Sequence, residues 1–422
     1  SDPDAPPSPL GYGGWDISGF ENPASCASAG AAGVPTYTFW NNEFELPEHF
    51  KANVGYETLI GNRTQVSVDL LFSQSNNLYT VRNLNLRPHQ FTLAGEDGRR
   101  IFSPESSFDP TGANSTGSRR NLEFGDVLVN FNDGRARSFN VAVEGYHQLT
   151  DAVNFQGSYT YTRAWDNSNY SCCTASGGYS DPTNGVFGPN EIGEVGDTER
   201  SWGRSDYSRD HTFILAGFAE LPWDIKLSGI WRSQSGRPYT VVGDDDLNGD
   251  GLTGNDRLFI FEPSNLPLAS SGDAALEERE LYQSILKDNP CVGDHQGGII
   301  DRNTCRFPWQ HQLDLRLART FRVTGDQRFE LQVDFFNVLN GFGRAFCDEK
   351  GKTTDQLTSG ICGLGRITGV YGSNRELLEP RGFDSATGQI LYQVNDSFGE
   401  EELLGDNLVL QFQAQIGLRY FF

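Results

Sequence analysis

The sequence predicts an all-β chain: strands of a transmembrane antiparallel β-barrel with long extracellular loops. Three observations predict it. Apolar residues hold every even position from 408 to 422 (Leu408, Leu410, Phe412, Ala414, Ile416, Leu418, Tyr420, Phe422), with Gln411, Gln413, Gln415 and Arg419 between them. Alternation of period two gives a strand one apolar and one wet face. The run is also long, since soluble strands average about 5–6 residues whereas a tilted bilayer-crossing strand needs about 9–11. The same alternation recurs upstream, and the connections between its copies are short and long by turns.

In chain order, Ala52, Val54 and Tyr56 alternate with Lys51, Asn53 and Glu57, and Val66, Val68, Leu70 and Phe72 with Gln65, Ser67 and Asp69. Phe139, Val141 and Val143 alternate with Asn140 and Glu144; Val153, Phe155, Tyr159 and Tyr161 alternate with Asn154, Gln156, Ser158 and Thr160. His211–Leu221 is the least regular strand. Ile225, Leu227 and Trp231 face away from Lys226, Ser228 and Arg232, and Leu313, Leu315 and Leu317 from Gln312, Asp314 and Arg316. Phe329, Leu331, Val333 and Phe335 alternate with Arg328, Glu330, Gln332 and Asp334. With the C-terminal run, nine strands result. Tight turns fall at residues 60–63, 149–151, 221–224 and 324–326, while long polar stretches follow Tyr79, Trp165, Val242 and Asn340. Outer-membrane barrels are built this way, with the short turns periplasmic. A hairpin-like piece at 375–395, turning at 384–388, sits within the last long loop. Residues 1–47 read as an extracellular loop or entry segment, and 48–422 as barrel strands with surface loops. Single-chain bacterial barrels have even strand numbers, so nine points to a further strand within the first 47 residues or to a missing N-terminal half.

Composition agrees. Hydrophobic residues make up 37% of the chain, and no stretch reaches the roughly 18 apolar residues of a transmembrane helix. A barrel shows lipid only every second residue, so its mean hydropathy stays modest. With 33 basic and 56 acidic residues the net charge is −23, which repels phosphate and excludes binding to nucleic acid through a basic patch. The opening run Ser1-Asp-Pro-Asp-Ala-Pro-Pro lacks the basic and apolar regions of a signal peptide. The chain also has no Met, so it reads as a mature product or a fragment.

The candidate sites lie in the predicted loops. Asp246, Asn248 and Asp250 followed by Gly251 repeat the D-x-N-x-D-G opening of a calcium loop, in which alternate oxygens wrap a hard cation. Asp256 is the residue placed to close it, and Arg257 stands where such a loop has Glu; the competing reading is a solvated acidic loop. Seven cysteines fall in polar segments, as loop disulfides in an oxidising compartment would. Cys291 with Cys305 and Cys347 with Cys362 are the favoured pairs. Closing a loop of about 15 residues gains roughly 3 kcal/mol in the chain-entropy model. Cys172 and Cys173 are adjacent, so at least one pairs distantly, with Cys26 a candidate. Neither favoured pair has the companion spacing of a zinc site. There is no Gly-x-Ser-x-Gly elbow and there are six histidines; His211 and His311 stand at loop–strand junctions, where solvation explains them, so no enzyme is expected. Arg232, Arg316, Arg328 and Arg419 face the wet side, as substrate-path residues or as partners of Asp314, Glu330 and Asp334 on neighbouring strands. Trp165, Trp223, Trp231 and Trp309 lie near strand ends, as in interfacial girdles.

Several motifs, in order, resemble the Oar-like TonB-dependent receptors: Phe44-Glu-Leu-Pro-Glu-His-Phe-Lys-Ala-Asn-Val-Gly-Tyr56, Asp210-His-Thr-Phe213, Ser235-Gly-Arg-Pro-Tyr239, and Asp246-Leu-Asn-Gly-Asp-Gly251 with Gly254-Asn-Asp256. So do Arg302-Asn-Thr-Cys-Arg306 leading into Pro308-Trp309-Gln310, Leu313-Asp-Leu-Arg-Leu317, and Phe335-Phe-Asn-Val-Leu-Asn340. The resemblance implies the C-terminal portion of a large barrel of about 22 strands with a plugged lumen, in the outer membrane of a Gram-negative bacterium. It also implies energy-coupled uptake driven through TonB. The implied partners are outer-membrane lipid, the barrel-assembly machinery, TonB acting through a plug, and the N-terminal half of the barrel. The ending Leu418, Tyr420, Phe422 resembles the C-terminal signal that the assembly machinery reads. The sequence shows no plug, TonB box or carboxypeptidase-regulatory-like domain, so those parts are expected elsewhere. The alternatives are a surface structural or interaction protein anchored by the barrel, and a passive porin.

Overall fold

The computed structural model describes residues 35–112, 117–167, 202–243, 245–253, 255–307, 309–325, 327–341, 375–399 and 412–422. Its centre is one antiparallel ladder of nine strands. These are β1 (Glu48–Ile60), β2 (Thr64–Asn83), β3 (Val127–Thr150), β4 (Val153–Asp166), β5 (His211–Leu221), β6 (Ile225–Gln234), β7 (Gln310–Arg322), β8 (Arg328–Phe336) and β9 (Gln413–Phe421). Neighbours in sequence are neighbours in space from β1 to β9. They are the nine expected strands; Leu408 and Leu410, read as the start of the last one, lie outside the described residues. A further strand, Tyr37–Trp40, runs parallel to Val127–Asn130 on β3.

The register lines up the alternating apolar positions on one face. Tyr56 pairs with Val68, Val68 with Val143, Val143 with Tyr159 and Tyr159 with Phe213. At the other end Leu317 pairs with Val333 and Val333 with Ile416. On the inner strands several of this face's side chains are exposed, Val143 by 38%, Leu317 by 42% and Leu331 by 40%, whereas Gln332 and Asp334 on the opposite face are 8% and 5% exposed. That inverts the ordering of a soluble fold. β5 is the least regular strand because its second face carries Ile214, Ala216 and Phe218, opposite Ser158, Gln156 and Asn154 on β4. Its pairing is nonetheless continuous with both β4 and β6.

One edge of the ladder ends in tight turns. Gly61 and Gly325 adopt φ of 67° and 60° there, a region that glycine enters without a Cβ clash. At the other edge β2 and β3 run on past the bilayer length, for 20 and 24 residues. They slip register between Ser75 and Thr80. Gly134 makes the slip fit, since a Cβ there would lie 2.7 Å from the Leu78 carbonyl oxygen.

Beyond this second edge the long connections fold together. Leu93, Ile101 and Phe108 (between β2 and β3) pack with Val241, Leu258, Ile260 and Leu286 (between β6 and β7) and with Leu378, Ile390 and Tyr392 (between β8 and β9) in one buried cluster. The hairpin expected at 375–395 forms, as Leu378–Asp384 against Gln389–Val394. The β6–β7 connection, expected to be loop throughout, contains a helix instead. Asp273–Asp288 is a helix, α1, that buries Tyr282, Ile285 and Leu286. Its inward residues are few among many charges, so the period of 3.6 is weak by itself. No described helix is long and apolar enough to cross a membrane.

Candidate functional site

Two regions carry polar groups in a defined arrangement: the second face of the ladder, and the cap that the long connections form. On the ladder, two of the four arginines read as wet-facing find carboxylates across the strand gap. Arg316 Nε donates to Asp334 Oδ1 at 2.5 Å, and Arg419 Nη1 lies 3.6 Å from Glu330 Oε1. Arg328 stacks over the Phe421 ring at 4.7 Å, while Arg232 stands opposite Gln312 and Ile214. Gln312 donates to Asp314, and the Thr162 hydroxyl donates to Asn140 at 2.8 Å. Pairs of opposite charge directly across strands support a sheet, so this face is a wet, self-paired lining.

The apolar face changes character where it approaches the cap. Arg163 follows Phe72 and Phe139 in the same cross-strand row, and Trp165 pairs with Arg137 in the next. Arg137 lies over the Trp165 and Trp202 rings at 5.0 and 5.4 Å, and Arg135 over Trp202 at 4.7 Å. His211 stacks on Trp309, 5.9 Å between ring centres, and Tyr159 donates to or accepts from His211 Nδ1 at 2.9 Å. Rings with polar tips suit the border between hydrocarbon and water. At the other end Trp223 is 77% exposed in its tight turn.

Within the cap, Asp246, Asn248, Asp250 and Asp256 come together and are buried. Main-chain donors hold them. Asp246 Oδ1 accepts from Asp250 N and Oδ2 from Gly251 N, both at 2.9 Å. Asp250 Oδ1 accepts from Leu252 N at 2.7 Å, and Asp256 Oδ2 from Asn248 N at 3.1 Å. Gly251 supplies the turn with φ of 94°. The loop is pinned from outside: Phe102 N donates to Asn248 O at 2.9 Å, and the Ser103 hydroxyl to Gly249 O at 2.7 Å. Burial, and then repulsion from Asp246, pushes the Asp250 carboxyl well above the usual carboxylate range. Burial, and then repulsion from Asp250, does the same to Asp256 despite Arg99. Among the described residues no three His, Cys, Asp or Glu side chains already surround one point as a metal set.

Arg99 and Asn255 are the members that spacing did not single out. Arg99 is fully buried; its Nε donates to Glu96 Oε2 at 2.7 Å, its Nη2 to Arg257 O at 2.8 Å, and its Nη1 lies 4.0 Å from Asp256 Oδ1. Tyr392 donates to Glu96 Oε1 at 2.7 Å, joining the hairpin to the same knot. Arg99 comes from another connection, far away in sequence, so no local signal marks it. Asn255 carried a faint one, as an amide beside Asp256 in a Gly-rich acidic loop.

Cys291, at the start of a short helix after α1, and Cys305 form a disulfide with a Cα–Cα distance of 5.2 Å. Cys305 is 1% exposed, less polar in setting than its sequence surroundings imply. Cys347, Cys362, Cys26, Cys172 and Cys173 lie outside the described residues. Of the C-terminal residues, Leu418 pairs with Leu331 and Tyr420 with Phe329, and Phe422 is 97% exposed.

No curated protein matches the sequence. Among solved structures, the crystal structure of the outer membrane transporter YddB from Escherichia coli is similar, with 10% identity and a TM-score of 0.37. The similarity covers 73% of this chain and 31% of that one, so this chain spans less than a third of that transporter. Residues 4–377 match the family model described as the outer membrane beta barrel domain, and the chain therefore belongs to the outer-membrane β-barrel domain family, with its exposed apolar face turned to lipid.

Proposed function

We propose that the chain forms the C-terminal part of the wall of a TonB-dependent uptake receptor, with the cap on the cell surface and the tight turns in the periplasm. The observation that carries this reading is the asymmetry of the two ends: tight turns at one, and at the other a single folded cap whose core draws on three connections. Separate, mobile loops suffice for a passive pore. A packed and cross-linked cap supplies the fixed scaffold that selective recognition at the outer surface needs. The energy would come through TonB acting on a plug, and the remaining wall from the N-terminal half of the barrel.

The test uses the full gene product in its own outer membrane. An epitope inserted at Ser385, in the exposed turn of the cap hairpin, is expected to bind antibody on intact cells. Photo-crosslinking is expected to trap an adduct with TonB in energised cells. Steady conductance in planar bilayers with no adduct would establish the passive porin instead. An accessible epitope with neither adduct nor conductance would favour a surface interaction protein, a role the disulfide-stapled cap also suits.

A further inference from the structure

The buried aspartate loop of the cap has more oxygen than its protein neighbours can satisfy. Asp246 and Asp256 are 0% exposed and Asp250 4%. One guanidinium approaches them: Arg99 Nε is engaged by Glu96 at 2.7 Å, and its Nη1, which has no hydrogen-bond partner, stops 4.0 Å from Asp256 Oδ1, beyond hydrogen-bond reach. Asn255, also 0% exposed, is held beside Asp250 by its Nδ2, 3.2 Å from Asp250 Oδ2. Its Oδ1 has no hydrogen-bond partner, and neither does Asp256 Oδ1. Buried amide and carboxylate oxygens nearly always find a donor, and clustered carboxylates removed from water need a counter-charge. Two unmatched acceptors in the same buried loop as Asp246 and Asp250 point to a ligand that brings positive charge and accepts lone pairs.

We propose that this loop binds one Ca2+, with Asp246, Asp250 and Asp256 as the anionic ligands and side-chain amide oxygens of Asn248 and Asn255 beside them. The chemistry selects the ion. Every donor is an oxygen, which suits a hard cation rather than zinc. The donors sit on an irregular loop shut off from water. Ca2+ tolerates irregular sets of about 6–8 oxygens, whereas Mg2+ demands a near-octahedral set and keeps several waters. Main-chain N–H groups hold both oxygens of Asp246 (from Asp250 and Gly251), Asp250 Oδ1 (from Leu252) and Asp256 Oδ2 (from Asn248), which leaves Asp256 Oδ1 open. Among the described residues three carboxylates do not already meet at one point, so binding would draw the loop's oxygens together. The site ties the β6–β7 connection to Ser103 and Arg99 of the β2–β3 connection, so the ion locks two loops of the cap together. The inference stands independently of what the barrel transports.

The experiment takes the full chain in detergent micelles after EGTA treatment, adds Ca2+ or Mg2+, and counts retained metal by elemental analysis after gel filtration. The expected result is about one Ca2+ per chain, with no retention of Mg2+, and slower proteolysis of the cap with Ca2+ than with EGTA. D250N and D256N keep the shape and the acceptors but remove charge. They are expected to lose retention at least tenfold and to show no Ca2+ protection, while heat-modifiable migration shows that their barrels are folded. Wild-type protein alone decides if the variants misfold: no retained Ca2+ and identical proteolysis in Ca2+ and EGTA would overturn the site. Equal retention of Mg2+ would overturn its selectivity.

Discussion

The wall and the cap are built from one alphabet used in opposite senses. In the wall, Val54, Tyr56 and Ile416 are exposed while Asp334 and Gln332 are nearly covered. In the cap, Leu258, Ile260 and Leu378 are covered completely, beside a buried knot of charges that includes Arg99, Glu96 and Asp256. The difference teaches that burial is defined by the solvent each region meets. Hydrocarbon rewards apolar contact with the outside, and water forbids it.

Breaking the cap should have the largest effect. Leu258→Ala removes a fully buried side chain from the shared core and should destabilise the cap by about 2–5 kcal/mol, read as faster proteolysis there while the barrel keeps its heat-modifiable migration. If the barrel melts with it, the two regions are one cooperative unit. Val143→Arg tests the other sense. Val143 lies in the apolar row between Val68 and Tyr159, and in a bilayer the change should cost about 2–4 kcal/mol by urea unfolding in vesicles. A cost near zero would mean that this face meets water.

Cys305→Ser opens the Cys291–Cys305 loop and should cost the cap about 3 kcal/mol in the chain-entropy model, with wall stability unchanged. The smallest effect belongs to Asp384, in the turn of the cap hairpin. The Thr387 hydroxyl and then the Ala386 N–H hold its carboxyl below the usual carboxylate range. A carboxylate with a depressed folded-state pKa stabilises above its unfolded pKa, and that stabilisation is lost as pH falls through the folded value. The hairpin should therefore loosen slightly under acid, by hydrogen exchange, and Asp384→Asn should flatten that dependence. A larger response to acid would place the sensitivity elsewhere in the cap.

The wall was legible because its rule is local. Period-two alternation in Phe329–Leu331–Val333–Phe335 needs no knowledge of any partner, and the tight turns at Gly61 and Gly325 mark the breaks. β5 was the weakest because Ile214, Ala216 and Phe218 fill its second face. The cap was nearly illegible. α1 hides three core residues among charges, and the cap's core joins Leu93, Leu258 and Tyr392 from connections far apart in the chain. The aspartate spacing was visible, whereas its knot with Arg99, Glu96 and Tyr392 was not.

By itself, then, the sequence determined the strands, their facing and the four hairpin pairs, since each strand's side-chain period is written within that strand and short turns force adjacent pairing. The tertiary structure alone decided that the long connections share one core, and which distant groups meet the buried aspartates. Such contacts depend on chain closure over long separations, where no local periodicity survives and only the summed burial of many side chains selects the arrangement.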